Sequence, residues 1–204
     1  MQTRIYLVRH TETIGNIEKR LTGRQDYEIT QNGLEMVKKL TNYLKNESID
    51  VIYCSTSNRT FETIKEIAEI KKLEIQRKEE LCEMYFGIYD GWKWEDVNKI
   101  NPLICKKQIE TNEIMCIPQQ ETTNQVEERM YNEIENIAKE NLGKTILICS
   151  HGVAIEAFLR YITKEKFTNK REEYSQHNCS VNIVDFDDCK NKFEVKVLNY
   201  ISHL

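Results

Sequence analysis

The chain has 204 residues, enough to bury the core of one α/β domain, and its hydrophobic (40%) and charged (30%) shares are those of an ordinary globular protein. A net charge of −4 argues against nucleic acid as a partner, and no apolar run approaches the ~20 residues a membrane span needs. Seven cysteines, an odd number with no C-x-x-C pair, read as reduced core thiols and not as a disulfide frame or zinc site. Together with the absence of a signal-peptide pattern at Met1–Arg4, this gives a cytoplasmic protein as the expectation.

Met1 to Val8 reads as a first strand, and Thr11 to Ile29 as a polar loop carrying Asn16, Arg20, Thr22, Gly23 and Arg24. A helix starts at the cap-forming Thr30, with Leu34, Val37, Leu40 and Leu44 as its apolar stripe. Val51-Ile52-Tyr53-Cys54 has the continuous apolar character of a buried parallel strand. Ser55 to Asn58 then opens a second helix through Phe61, Ile64, Ile67 and Ala68, and Glu74 to Lys78 reads as a short strand. Leu81 to Trp94 is loop-like and aromatic, with Gly87 and Gly91. Val97 to Glu110 looks helical with a break at Asn101-Pro102, and Thr111 to Gln120 gives no clear pattern. A helix from about Glu121 through Val126, Met130, Ile134 and Ile137 stops near Gly143. Thr145 to Cys149 is a buried strand, Ser150-His151-Gly152 opens a helix through Ile162, and two strand candidates follow, Ser180 to Phe186 and Phe193 to Leu198. Strands alternating with helices across short loops predict a three-layer α/β/α fold with a mostly parallel sheet, in one domain over residues 1–204.

In such sheets ligands bind beyond the carboxyl ends of the strands. Three strand ends carry reactive or anion-binding residues: Arg9-His10, the turn leading to Arg59, and Ser150-His151. A neutral imidazole can attack phosphorus, while arginine forks, the Asn16 amide and the backbone N–H groups of the helix after His151 can hold the phosphoryl oxygens. A charged second imidazole would add a donor to the transition state. His177 and His203 lack such settings and read as structural. An acid is needed for the leaving oxygen. Glu83, among apolar and aromatic neighbours, is one candidate, with Glu79, Glu80 and Glu95 as competitors. Burial among those neighbours would help keep it protonated. Cys54 and Arg59 stand one residue too close for a cysteine-dependent phosphatase loop, and the four histidines show no H-E-x-x-H spacing for a metal. No cofactor or metal is therefore expected.

These residues also match a family pattern. The chain resembles the histidine phosphatase superfamily, in its phosphoglycerate mutase-like branch. The opening R-H-G-E-T motif with its asparagine appears as Arg9-His10-Thr11-Glu12-Thr13 and Asn16. A second signature is recognisable in Arg20, Gly23, Asp26, Ile29-Thr30 and Gly33, and a third in Ser55, Arg59 and Thr63. The E-x-x-F-G-x-x-x-G element is Glu83, Phe86-Gly87 and Gly91. Pro118, Glu121, Thr122 and Arg129 match a further segment loosely, S-H-G is intact at Ser150-His151-Gly152, and Leu198-Asn199 through Leu204 resembles the ending of bacterial members. The resemblance implies that His10 is the phosphorylated nucleophile, that Arg9, Asn16, Arg59 and His151 hold the phosphate, and that Glu83 is the proton donor and later the base. It also implies substrate contacts at Thr22, Gly23 and Gly152.

Three departures stand out. Thr11 replaces the family's glycine, so that loop has to avoid strongly positive φ. Gln119 and Gln120 replace paired glycines, and Thr22 stands where relatives often carry glutamine. The stretch from Glu83 to His151 is compact, whereas mutases similar to this family carry a longer insertion there. The expectation is a metal-independent phosphatase of small phosphorylated metabolites, with a lid-like segment around 97–120 whose Lys106, Lys107, Ile114 and Met115 set specificity. Its alternatives are a 2,3-bisphosphoglycerate-dependent phosphoglycerate mutase and a catalytically silent phospholigand-binding protein. Sugar phosphates, phosphoglycerate, phosphoserine and α-ribazole phosphate stay open as substrates, and oligomeric state stays open, a homodimer included.

Overall fold

A computed structural model describes residues 1–103, 117–165 and 171–204. The first apolar run forms strand β1 (Gln2–Arg9). Single-turn α1 (Ile14–Ile17) lies inside the segment expected to be wholly loop, and Thr30 caps α2 (Gln31–Leu44) by accepting from Gly33 N. Strand β2 (Val51–Ser55), helix α3 (Asn58–Lys71) and strand β3 (Ile75–Lys78) follow. The glycine-containing aromatic stretch holds two 3-10 turns, Glu79–Leu81 and Gly87–Tyr89, before α4 (Trp94–Ile100). Helix α5 (Thr123–Glu140) starts on a Thr122–Gln125 capping box. Then come β4 (Thr145–Ser150), α6 (Gly152–Thr163), the short α7 (Arg171–Tyr174), β5 (Val181–Asp187) and β6 (Lys192–Tyr200).

The six strands form one sheet in the order β3-β2-β4-β1-β5-β6. Pairing is parallel from β3 to β1 and antiparallel at β1–β5 and β5–β6, so β5 alone runs against the rest. Alternation along β1 sends Ile5 and Leu7 to one face and Tyr6 and Val8 to the other. The first face packs Val126, Met130, Ile134 and Ile137 of α5, and Ile155 and Phe158 of α6. The second packs Leu40 and Leu44 of α2 with Ile64 and Ile67 of α3. Each of these side chains contributes roughly 1.5–3 kcal/mol on burial. Helices on both faces give the three layers the sequence predicts. No helix among the described residues is long and apolar enough to cross a membrane.

The register brings the strand ends to one level. Arg9 of β1 sits opposite Ser150 of β4, and Cys54 of β2 opposite Cys149 of β4. The residues that follow, His10, Ser55 and His151, therefore emerge side by side at the carboxyl edge.

One expectation needs correction. Leu34 is 45% exposed and no part of the core. The inner stripe of α2 begins instead at Gly33, where an added Cβ would stand 2.3 Å from Glu12 O, and this close approach turns Leu34 outward. Gln119, at one of the two positions expected to upset the local geometry, adopts φ +64, a conformation that costs an L-residue about 1–2 kcal/mol relative to glycine. Thr11 keeps a negative φ, as its side chain requires. The expected lid falls largely on residues 104–116, and so do Lys106, Lys107, Ile114 and Met115; all of these lie outside the described residues.

Candidate active site

The strand ends surround a cavity of about 260 Å³ bounded by described residues. Arg9, His10, Asn16, Thr22, Glu83 and Gly152 line it together with Arg20, Phe86, Glu156 and Gln176. Of the residues nominated from sequence, Gly23, Arg59 and His151 are not on its wall.

His10 is 3% exposed, and its Nδ1 lies 2.7 Å from Thr11 O. A carbonyl only accepts, so Nδ1 carries the proton and Nε2 is left with its lone pair. Burial, then the charges of Arg59 and Arg9, hold the His10 pKa well below 6.5. Thr11 anchors the loop on both sides: its N–H donates to Thr63 Oγ1 (2.9 Å) and its hydroxyl to Gly33 O (2.7 Å).

Two polar side chains share this wall. Arg9 gives one N–H to Gln176 O, while its buried Nε has no partner among the described residues. Burial weighs against the Arg9 charge, Glu83 supports it and Arg59 opposes it. The Arg9 side chain lies against Gly152, where an added Cβ would stand 3.4 Å from the guanidinium carbon, at ordinary contact distance. Asn16 Oδ1 accepts from Thr13 N, Thr13 Oγ1 and Asn178 Nδ2, which fixes the amide and leaves Nδ2 as a donor with no partner among the described residues.

Arg59 and His151 form the layer beneath. Their burial is nearly complete, and the His151 ring centroid is 5.2 Å from that of His10. All five Arg59 N–H groups are engaged by protein. Nε donates to His151 Nδ1 (3.2 Å), the first terminal nitrogen to Gln25 O and Asp26 Oδ1, and the second to Thr22 O and Gly23 O. With Nδ1 accepting, His151 carries its proton on Nε2, 2.8 Å from Ser55 Oγ. Burial, then Arg59 and His10, hold the His151 pKa well below 6.5, which favours the neutral ring over the charged one considered from sequence. Gly23 serves the backbone. A Cβ there would stand 2.2 Å from the Asp90 carboxylate and 2.6 Å from Met84 O.

Glu83 is 7% exposed, yet its carboxylate does not sit in an apolar pocket. Oε1 accepts from Met84 N and Ala154 N (both 2.9 Å) and Oε2 from Val153 N (3.2 Å), so the start of α6 and the acid's own turn hold it. Arg129 locks that turn. It donates to Glu80 O, Cys82 O and Glu83 O and grips both oxygens of Glu121, which accepts in turn from Tyr85 N. The competitors sit elsewhere: Glu79 pairs with Arg24, and Glu95 with Lys99 on the surface.

Several supporting residues escaped the sequence reading. Asn178 donates to His10 O (2.9 Å) and Thr11 O (3.2 Å), and Gln176 O accepts from Arg9; Ser55, part of the family pattern, holds His151. The polar run Ser175 to Ser180 immediately before an apolar strand was the available signal for Asn178 and Gln176.

The cavity is small and polar, lies at the carboxyl edge of a mostly parallel sheet, and is walled by a histidine, an arginine and a buried glutamate. The sequence profile of the histidine phosphatase superfamily (branch 1) matches residues 5–199, and the chain belongs to that superfamily. Phosphoserine phosphatase 1 of Hydrogenobacter thermophilus is 28% identical over 204 residues, spanning 98% of this chain and 94% of its own. Phosphoglycerate mutase-like protein 4 of Arabidopsis thaliana is 28% identical over 203 residues, with 98% and 86% covered. Among solved structures, Bacillus stearothermophilus YhfR superposes with a TM-score of 0.91 at 26% identity over 98% of each chain. A phosphoglycerate mutase from Bacillus anthracis shares the fold, with a TM-score of 0.83 at 23% identity over 99% and 95%.

Proposed function

We propose that this chain is a metal-independent phosphatase that hydrolyses phosphate monoesters of small metabolites through a phosphohistidine on His10. The observation that carries the reading is the His10 tautomer. Nδ1–H is committed to Thr11 O, and the Nε2 lone pair is left to a cavity shared with Arg9, Asn16 and Glu83. Nε2 attacks phosphorus in line, and the P–O bond to the leaving alkoxide breaks. Glu83 supplies the proton to that oxygen; Oε2 has a single backbone donor and so keeps room for a proton. The resulting carboxylate then takes a proton from water, whose oxygen attacks the phosphohistidine and restores His10. Arg9 and the Asn16 amide hold the equatorial oxygens. Thr22 and Gly152 complete the wall around the substrate, and Arg59 and His151 support His10 from the layer beneath, with Thr22 O and Gly23 O fixing the Arg59 guanidinium.

The cavity is smaller than the ~300–1,000 Å³ of sites for drug-sized ligands, which favours a compact monoester. Phosphoserine is the first substrate to test, since a relative spanning the whole chain carries the name phosphoserine phosphatase. Rapid quench with labelled substrate should trap an acid-labile, base-stable phosphoprotein that His10→Ala does not form. An active His10→Ala enzyme would refute the mechanism. Turnover of p-nitrophenyl phosphate in EDTA separates a phosphatase from a silent phospholigand-binding protein. Isomer exchange dependent on 2,3-bisphosphoglycerate would mark a mutase.

A further inference from the structure

Residues 175–180 lie outside the catalytic set, yet they hold the backbone of the nucleophile. The Cys179 N–H is shared between Arg9 O (3.1 Å) and His10 O (3.3 Å), and the Asn178 side chain adds its bonds to His10 O and Thr11 O. Cys179 achieves this at φ +54, in the left-handed region that is unfavourable for a residue with a side chain. Such a conformation persists only where its surroundings over-determine it.

The surroundings come from residues 199–204. His203 Nε2 lies 3.1 Å from Cys179 O. That oxygen only accepts, so Nε2 carries the proton and donates it. The His203 ring belongs to an aromatic group with Tyr43 of α2 (4.9 Å, 24°) and Tyr200 of β6 (5.6 Å, 22°), which fixes where the donor points. Asn199, itself at φ +48, accepts from His177 N (3.0 Å) and donates to Ser175 O (2.8 Å), so the same stretch grips both sides of the 175–179 turn. Lys39 Nζ donates to Leu204 O (2.8 Å), which ties the stretch to α2.

We propose that His203 is a positioning residue for phosphoryl transfer: its hydrogen bond to Cys179 O keeps the Cys179 N–H on the Arg9–His10 backbone. The inference rests on the proposed phosphohistidine chemistry. It replaces the structural role that the sequence alone gives His203. An in-line attack tolerates little displacement of Nε2, and His10 has no other partner on this side than Cys179 and Asn178 among the hydrogen bonds of the described residues.

The test uses two variants of the full chain. His203→Phe keeps an aromatic ring against both tyrosines and removes the donor. His203→Gln keeps an N–H donor and removes the ring. In single turnovers with p-nitrophenyl phosphate, His203→Phe should slow phosphorylation of His10 about tenfold with little change in KM, and His203→Gln should stay within about threefold of the wild type. A merely packing role predicts the reverse order. That order, or equal rates in both variants, overturns the proposal. Hydrogen exchange gives a readout that needs no turnover. The Cys179 amide should lose protection in His203→Phe and keep it in His203→Gln, and unchanged protection in both also overturns the proposal. If the wild-type chain forms no phosphohistidine, the catalytic reading fails by itself, and the exchange result still decides whether His203 holds the turn.

Discussion

At His10, burial and the charges of Arg59 and Arg9 all oppose protonation, and at His151 burial, Arg59 and His10 act in the same sense. Both pKa values therefore lie below the ordinary 6.5 in the folded chain. The unfolded chain takes up protons below that pH which the folded chain refuses, so stability is complete above 6.5 and declines as pH falls toward the folded values. Urea midpoints measured between about pH 8 and pH 5 should fall on the acid side, with a shallower slope in His151→Asn. A flat profile would contradict two neutral buried imidazoles. The acid has its own signature. Glu83→Gln keeps an oxygen for Met84 N and Ala154 N but offers no carboxyl proton. In single turnovers, phosphorylation of His10 by an alkyl phosphate should slow about 10²–10⁴-fold, and phosphorylation by p-nitrophenyl phosphate, whose leaving group departs unprotonated, should slow much less. Equal losses on both substrates would remove Glu83 from the proton-donor role. Arg9 and His10 were legible because they end an apolar run, and Asn16 as an amide donor close behind them; Glu83 was one of four candidate acids until the family pattern singled it out. The complete engagement of Arg59 was not legible. Its five bonds go to carbonyls and side chains of residues 22–26 and to His151, partners 33 or more positions away that no local pattern records.

Between residue and fold lie the elements that aim these groups. Period and caps made most of them readable: Thr30 and Thr122 cap the helices expected after them, and the apolar stripes of α5 and α6 are buried as their spacing requires. What stayed hidden was set by backbone contacts between distant loops, such as the turn at Gly33 against Glu12 O that exposes Leu34. The link from α5 to the acid is of the same kind. Arg129 joins three carbonyls of the Glu80–Glu83 turn to the Glu121 carboxylate in a planar, two-pronged contact that an ammonium group cannot copy. Arg129→Lys should cost about 2–3 kcal/mol of stability and lower kcat more than it alters KM, as shown by urea unfolding and steady-state kinetics together. Unchanged kcat would make this contact a scaffold bond only. Gln119 offers the opposite sign. Exposed and held at φ +64, it should tolerate glycine, and Gln119→Gly should raise stability by roughly 0.5–1 kcal/mol after the greater freedom of the unfolded chain is counted.

For the molecule as a whole, the sheet register decides that the ends of β1, β2 and β4 gather charge at one edge, and that gathering has an energetic cost without a ligand. Arg9 is the clearest instance. Its Nε is buried without a partner among the described residues, Arg59 lies near enough to disfavour its charge, and Glu83 only partly compensates. A buried, incompletely paired cation stabilises little or costs stability, whereas a bound phosphoryl group would satisfy it. A ligand that binds only the folded chain adds RT ln(1 + [L]/Kd), about 2.7 kcal/mol at a hundredfold excess over Kd. Arg9→Met, an unbranched side chain of similar reach, should therefore have two effects on thermal unfolding. Without ligand its stability should match the wild type or exceed it by about 1 kcal/mol, because an unmatched charge has left the interior. With saturating phosphate or vanadate the wild-type Tm should rise and the variant's should not. A variant that is markedly less stable without ligand would mean that Arg9 is held by the protein for its own fold. A variant that still responds fully to phosphate would place the anion elsewhere than at the end of β1.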